Sequence, residues 1–253
     1  MLNYINAELY RYTHKKSTYI YYAILIFLIC LVFTLGNFSN SGKMDAKSMI
    51  DLGIILTSFL PIFIGIHVYL TVYNDDLNSK GLSNVISTGT SKLAIPIAKF
   101  LVSIITMLIG YLIMATVYFI IYFIIFKGFG NLTGDMLNSI LLAALIRFIS
   151  TLGFFALSNI ITFAFQKSSL SLVFVITVTL GVANQILSLL TLISSDLTVI
   201  TDNTLTSLTS SAASSIMDGS AFPNEFYLMA AVYIVVSLVV ATYIFKKRDV
   251  EVS

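Results

Sequence analysis

Charged residues are scarce in this sequence. Only 10% of its 253 residues are Asp, Glu, Lys or Arg, 58% are hydrophobic, and the mean hydropathy is +0.95. A soluble domain carries roughly 25% charged residues, so this chain lacks the polar side chains that would cover a water-exposed surface. The composition excludes a soluble globular protein and predicts an all-α integral membrane protein in a lipid bilayer. We expect no nucleic-acid partner.

Cysteine and histidine are nearly absent as well. The one cysteine, Cys30, excludes an internal disulfide, and the two histidines, His14 and His67, leave no Cys/His cluster with metal-ligand spacing. The motifs G-x-x-x-x-G-K-[ST], H-E-x-x-H and G-x-S-x-G do not occur. We therefore expect no catalytic site, no metal site and no ATP-binding site on this chain.

Long apolar runs fill most of the sequence. Each is long enough to provide the ~20 residues that cross ~30 Å of hydrocarbon as a helix. We predict a single transmembrane domain of six helices. Pro61 interrupts the second of them, and Asn184 and Gln185 interrupt the fifth. The predicted spans are 18–35, 49–73, 100–126, 136–165, 170–193 and 226–245.

Two further segments are amphipathic or polar. Residues 1–16 form a predicted interfacial helix, because their apolar positions recur at helical spacing on one face. Those positions are Leu2, Ile5, Leu9 and Tyr12. Residues 194–225 are rich in Ser, Thr, Asn and Asp, and we predict an extracellular segment with short helices there.

The distribution of basic residues orients the predicted helices, since cytoplasmic loops carry an excess of Lys and Arg. With six spans and both termini cytoplasmic, ten basic residues lie inside, three lie outside and Arg147 lies in the membrane, which accounts for all 14. The cytoplasmic set is Arg11, Lys15, Lys16, Lys80, Lys92, Lys99, Lys167, Lys246, Lys247 and Arg248, and the external set is Lys43, Lys47 and Lys127.

The segment 74–99 is polar although apolar spans flank it on both sides. Near its centre, Leu82, Val85 and Ile86 have the i, i+3, i+4 spacing that places them on one face of a short helix. Gly89 is a suitable stop for that helix. On the predicted topology, this is a cytoplasmic amphipathic helix suited to docking onto a soluble partner. The alternative is a solvated loop.

The end of this segment carries two lysines seven residues apart, Lys92 and Lys99. They share a helical face, and both side chains are long enough to extend to lipid headgroups. We therefore expect Pro96 in the first turn of the helix and the third span to begin near Phe100.

One charge lies deep in a predicted span. Placing Arg147 at mid-bilayer costs roughly 2.5–3.5 kcal/mol on insertion scales, so it needs a partner, an aqueous cavity or a subunit interface. It binds an anionic substrate group, forms a gating ion pair, or is a structural residue bonded to helix carbonyls or to a polar neighbour such as Asn184 or Gln185. His67, in the second span, is either a hydrogen-bond donor between helices or a proton relay. These four residues are the candidates for a cargo pathway or subunit interface.

Several of these features occur together: an interfacial helix, six spans, an acidic-then-glycine cytoplasmic helix, a lysine that enters the third span and a basic stop after the sixth. This arrangement resembles the permease subunits of type-2 ABC exporters. The residues that carry the resemblance are Asp75 or Asp76, Lys80-Gly81-Leu82, Val85-Ile86, Lys99 and the run ATYIFKKRDV at 241–250. Leu82, Asn84 and Gly89 depart from the family, which often has threonine, leucine and proline there.

The resemblance implies a permease that dimerises with itself or a sibling and docks an ATP-binding ABC subunit. ATP and magnesium would bind that partner, so this chain would bind no cofactor and would not be an enzyme. The residues assigned to ATPase coupling are Asp75, Asp76, Lys80, Gly81, Leu82, Val85 and Ile86. Permeases of this size often belong to bacterial systems that export or expel peptides, among them bacteriocin self-protection systems and exporters of amphipathic staphylococcal toxins. We expect a bacterial plasma-membrane protein with an amphipathic peptide or lipid-like cargo.

Two other classes of protein fit the composition. An ion-gradient-driven secondary transporter or channel would usually show several intramembrane acids and an inverted repeat, and we find neither in the sequence. A non-transporting membrane immunity protein would only sequester its ligand. Dependence on an ATPase separates the exporter from both alternatives.

Overall fold

The computed structural model describes residues 1–39, 45–78, 85–87, 89–129, 131–191, 194, 196, 198–217 and 224–247. Over these ranges the protein is helical and contains no β-strand. Among the described residues, five helices are long and apolar enough to cross a membrane, and a bent pair of helices makes a sixth candidate. The all-α class is therefore confirmed for these ranges, and the long apolar helices are compatible with a multi-pass membrane protein.

The helices follow the predicted apolar runs. In chain order they are α1 (Leu2–His14), α2 (Lys16–Ser39), α3 (Ala46–Leu77), α4 (Ala94–Phe126), α5 (Gly134–Phe165), α6 (Ser168–Thr179), α7 (Val182–Thr191), α8 (Thr198–Asp202), α9 (Leu205–Met217) and α10 (Asn224–Lys247).

Polar caps set several helix ends. Asp45 precedes α3, and its carboxylate accepts a hydrogen bond from the Ser48 amide at 3.2 Å. Thr133 precedes α5 and accepts from the Met136 amide at 3.3 Å. Both side chains satisfy a first-turn amide that has no partner within its helix. Gln166 ends α5 in the left-handed region at φ 51°, and the reversal allows α6 to begin at once.

The fifth predicted span is divided into two helices. We expected the interruption at Asn184 and Gln185, but α6 and α7 meet at Leu180 and Gly181 with a bend of 64°. Gly181 has φ +71°, a conformation that glycine adopts without a Cβ clash. Gly181 therefore determines where the helix breaks, and Asn184 and Gln185 both lie within α7.

Helix α3 changes its winding twice. π-helical turns occupy Pro61–Gly65 and Leu70–Asn74, and His67 lies on the α-helical turn between them. A proline has no amide hydrogen and clashes with the carbonyl four residues earlier. Because a π-helical turn is wider than an α-helical one, a π turn that begins at Pro61 reduces this clash. The predicted interruption at Pro61 is a change of helix type.

Helix α5 is the centre of the bundle. It packs against α3, α4, α6, α9 and α10. Small residues permit these close approaches: the Leu205 side chain of α9 fills the place of a side chain at Gly153, and Gly65 of α3 faces the methyl group of Thr151. The α1 helix lies at one end of this bundle, where α3 ends and α4 begins.

Candidate functional site

Helix α1 packs across the ends of α3 and α4 through Ile5, Glu8 and Tyr12. Of the predicted apolar face, Leu9 is half-buried and Leu2 is 72% exposed. The buried stripe also includes the acid Glu8. An ionised carboxylate is costly to bury without partners, so this position needs cations from the neighbouring helices.

Lys99 of α4 supplies the first cation. Its ammonium group is ion-paired with the Asp76 carboxylate of α3, lies 3.2 Å from the Glu8 carboxylate and donates to the Val72 carbonyl at 2.5 Å. Three acceptors thus surround the three donors of the ammonium group. The side chain is 1% exposed, so the predicted extension of Lys99 to lipid headgroups is wrong.

Arg11 of α1 supplies the second cation. Its guanidinium is ion-paired with Asp76 and lies 2.7 Å from the Glu8 carboxylate, and it donates to the Thr71 carbonyl at 3.4 Å. The Asp76 carboxylate therefore accepts from one cation on α1 and another on α4. We call Glu8, Arg11, Asp76 and Lys99 the charge cluster.

The charge cluster is electrically balanced, with two acids and two bases. Asp76 is 4% exposed and Glu8 is 6% exposed, so solvent screens these pairs weakly. Burial raises the pKa of the Glu8 carboxyl above its usual range, against the attraction of Lys99. The cluster joins α1, α3 and α4 at one point.

Asp75 forms a separate, more exposed pair with Lys15, at 2.5 Å. Both side chains are about one-third exposed: 35% for Asp75 and 34% for Lys15. Of the two adjacent acids, therefore, Asp76 points into the protein and Asp75 lies at its surface. The assignment of both to ATPase coupling stays a prediction.

The rest of the predicted coupling helix is described in part. Lys80, Gly81 and Leu82 lie outside the described residues. Val85 and Ile86 are helical and half-buried, and they pack against the hydrophobic core of this chain. A predicted stop follows: Gly89 has φ +90°, and its amide donates to the Ile86 carbonyl at 3.0 Å.

His67 lies in an aromatic environment. Its ring stacks on Tyr21 with centroids 4.1 Å apart, and it has edge contacts with Tyr12 and Tyr22. Its Nε2 atom is buried and has no hydrogen-bond partner among the described residues. The predicted role as a hydrogen-bond donor between helices is therefore not seen at that atom. The ring holds α1, α2 and α3 together through packing.

Arg147 lies near the middle of α5 and is half-buried. Its guanidinium donates to the Ser58 hydroxyl of α3 at 3.1 Å, and no acid among the described residues pairs with it. The two polar side chains predicted as its partners, those of Asn184 and Gln185, form no hydrogen bond with it. The Asn184 side chain accepts from the Thr204 hydroxyl at 2.7 Å, and Gln185 is exposed on α7.

Sequence reasoning missed the charge cluster. One signal was present: Glu8 is three residues from Ile5 and four from Tyr12, so an acid occupies the apolar stripe of an amphipathic helix. Such an acid requires a buried cation. Nothing local identified Lys99 as that cation.

No group of three or more His, Cys, Asp or Glu side chains in the described part of the chain could hold a metal ion. Comparison with known proteins adds no assignment: no protein-family model matches the chain, and no curated protein sequence matches it. The function must therefore be argued from the residues themselves.

Proposed function

We propose that this chain is the membrane-spanning permease subunit of an ATP-driven exporter of the ABC type. It would lie in the plasma membrane of a bacterium with both termini in the cytoplasm. Two permease protomers, identical or different, would form the pathway for an amphipathic cargo, with a peptide favoured over a lipid-like molecule. A separate ATPase subunit would bind ATP and magnesium.

One observation carries this proposal: both ends of the segment 74–99 are tied to the same cluster. Asp76 lies at its beginning, Lys99 lies at its end, and the two side chains are ion-paired. Arg11 and Glu8 attach α1 to the same pair. A force applied to this segment would therefore reach α1, α3 and α4 together.

Such a connection suits a coupling element. Domain movements in ATP-driven machines are transmitted by rigid elements that move as units around a few hinges. A helix on a flexible loop would absorb the displacement of its partner. A segment fixed at both ends would pass the displacement into two spans, and alternate access would follow from their movement.

The docking face can be tested at Leu82. The half-buried Val85 is a poorer choice, because Val85→Asp would also disturb the chain's own packing. We expect Leu82→Asp to abolish co-purification of the ATPase subunit in mild detergent and its stimulation by this chain. Ser87→Asp adds the same charge at an exposed position of the same segment and is the matched control.

Two results would contradict the proposal. The first is wild-type ATPase binding by Leu82→Asp. The second is a wild-type permease that purifies alone, stable and without stimulating any ATPase that the same cell produces.

A second candidate function is transport driven by an ion gradient. The observation that favours it is the burial of two acids, Glu8 and Asp76, beside a membrane helix, since buried ionisable groups often mark ion pathways. Proteoliposomes without ATP separate the two functions. Cargo uptake driven by a pH or sodium gradient alone would support the secondary transporter.

A further inference from the structure

An apolar cavity of about 300 Å³ lies between α2, α3, α4 and α5. Its walls are aliphatic and aromatic side chains from all four helices. Among them are Phe33, Leu56, Leu112, Tyr118, Leu141 and Phe148. The cavity adjoins neither the charge cluster nor the segment 74–99.

Arg147 flanks this cavity. Its sequence neighbour Phe148 lines the wall, and its hydrogen-bond partner Ser58 follows Thr57, which also lines the wall. On α5, Arg147 is one turn from the lining residue Ala144, on the edge of the same helix face. The cation is therefore placed at the boundary of an otherwise apolar space.

Polar groups from two other positions lie beside the same boundary. The lining residue Tyr111 shares a hydrogen bond with the Thr151 hydroxyl at 3.3 Å. Thr151 in turn donates to the Arg147 carbonyl at 2.5 Å. The Tyr111 hydroxyl thus lies on the cavity wall, and hydrogen bonds connect it through the Thr151 hydroxyl to the backbone of Arg147.

The charge of Arg147 is not balanced by the described part of the protein. Ser58 provides one acceptor, whereas a guanidinium has five donors and binds a carboxylate through two of them. None of its nitrogens is among the buried polar atoms without a partner, so the other donors retain open space beside them. An anion that entered this space would find a positive charge in a medium of low dielectric constant.

We propose that this cavity binds a single-chain anionic amphiphile, with its acidic group on Arg147 and its acyl chain along the apolar walls of α4 and α5. Ligand pockets have about 300–1,000 Å³, and a volume at the lower end favours one acyl chain over a two-chain lipid. The chemistry required is one carboxylate, or a similar anion, at the end of a medium-length alkyl chain. The proposal concerns this chain alone and does not rest on the exporter hypothesis.

The test is binding of radiolabelled dodecanoate to the purified protein in phosphatidylcholine nanodiscs, with empty nanodiscs as the background. We expect saturable binding that Arg147→Gln weakens about tenfold, as the loss of one charged hydrogen bond predicts, and that Arg147→Lys largely retains. Ala144→Phe fills the cavity without changing the charge and should abolish binding. Unlabelled dodecanol and dodecyltrimethylammonium should compete at least about tenfold more weakly than dodecanoate, because neither offers an anion.

Equal binding by wild type, Arg147→Gln and Ala144→Phe would overturn the proposal, and so would equal competition by the three alkyl compounds. Should Arg147→Gln fail to fold, Ala144→Phe and the competition experiment decide the question. No ATPase is present in this assay. A wild-type protein that stimulates an ATPase but binds no dodecanoate would therefore refute only this inference. A wild-type protein that binds dodecanoate but, in the separate co-purification experiment, neither binds nor stimulates any ATPase would refute only the exporter.

Discussion

Lys99 and Arg147 are both cations removed from water, but the protein surrounds them differently. Lys99 is 1% exposed and contacts two carboxylates and a backbone carbonyl. Arg147 is half-buried, has one hydroxyl partner and lies beside an apolar cavity. Lys99 is therefore part of an internal hydrogen-bond network. Arg147 uses one of its donors on Ser58, and its other donors have no acceptor among the described residues.

We interpret this difference as that between a structural site and the proposed binding site. A buried ion pair that is fully hydrogen-bonded fixes the geometry of the elements that supply it, and removing one partner leaves an uncompensated charge. A buried cation with few partners is able to bind an anion that reaches it. Neutralisation should therefore destabilise the protein strongly at Lys99 and only slightly at Arg147.

Lys99→Met gives the largest expected effect. Because it leaves two acids facing one arginine, we expect a loss of about 3–5 kcal/mol in the free energy of unfolding. Circular dichroism during titration with a denaturing detergent measures it. Lys167→Met, at an exposed position, should change stability by less than about 0.5 kcal/mol.

A double variant sharpens this result. Lys99→Met with Asp76→Leu removes one charge of each sign and leaves the pair of Glu8 and Arg11 intact. It should recover much of the stability lost in the single variant. A double variant as unstable as the sum of its parts would contradict a mutually compensating cluster.

Glu8→Gln should have a smaller effect. Burial already raises the pKa of Glu8, and glutamine retains an oxygen that accepts from both cations. We expect a loss of about 1.5–3 kcal/mol in the free energy of unfolding, the range for a hydrogen bond to a charged group. A loss as large as that of Lys99→Met would show that Glu8 is the principal counterion.

Arg147→Leu tests the contrast between Lys99 and Arg147 most directly. The variant loses its bond to Ser58 but also removes a charge that costs roughly 2.5–3.5 kcal/mol to place in the membrane. We therefore expect stability within about 1 kcal/mol of wild type, since the two contributions are of opposite sign and similar size. A loss comparable to that of Lys99→Met would make Arg147 a structural residue.

Lys15→Ala should have the smallest effect. Its pair with Asp75 is about one-third exposed on both sides, and exposed pairs contribute about 0.2–1 kcal/mol. The effect should disappear at high salt, whereas that of Lys99→Met should persist because buried charges are screened weakly. Thermal unfolding at low and high salt distinguishes the two.

Hydropathy located the long helices because the bilayer requires continuous apolar runs. The change of helix type at Pro61 and the helix stop at Gly89 could also be predicted from the residue types. The charge cluster was not. Asp76 lies 65 positions from Arg11 and 23 from Lys99, and no local pattern pairs residues at such separations. Lys99 followed the rule for a lysine near a helix start, but α1 covers that end of the bundle and excludes the headgroups.

The bend at Gly181 illustrates a different limit. Asn184 and Gln185 were the polar residues in the fifth apolar run, so they were the expected site of interruption. A helix tolerates both side chains where one can bond to a neighbour, as Asn184 does with Thr204. The backbone conformation at Gly181 decides the bend, and composition alone does not reveal which glycine takes a positive φ.

The two π-helical turns of α3 make its length as important as its composition. A π turn closes its hydrogen bonds one residue later than an α turn, so Pro61–Gly65 and Leu70–Asn74 each contain an inserted residue. The π turn accommodates this residue locally, so deleting one residue from either turn would restore α-helix and leave Asp76 close to its present rotational position. A deletion in the α-helical turn between them, Ile66–Tyr69, would instead rotate everything beyond it by about 100°. Asp76 would then turn away from Lys99 with no change in any side chain, and such a deletion should act like loss of the cluster itself.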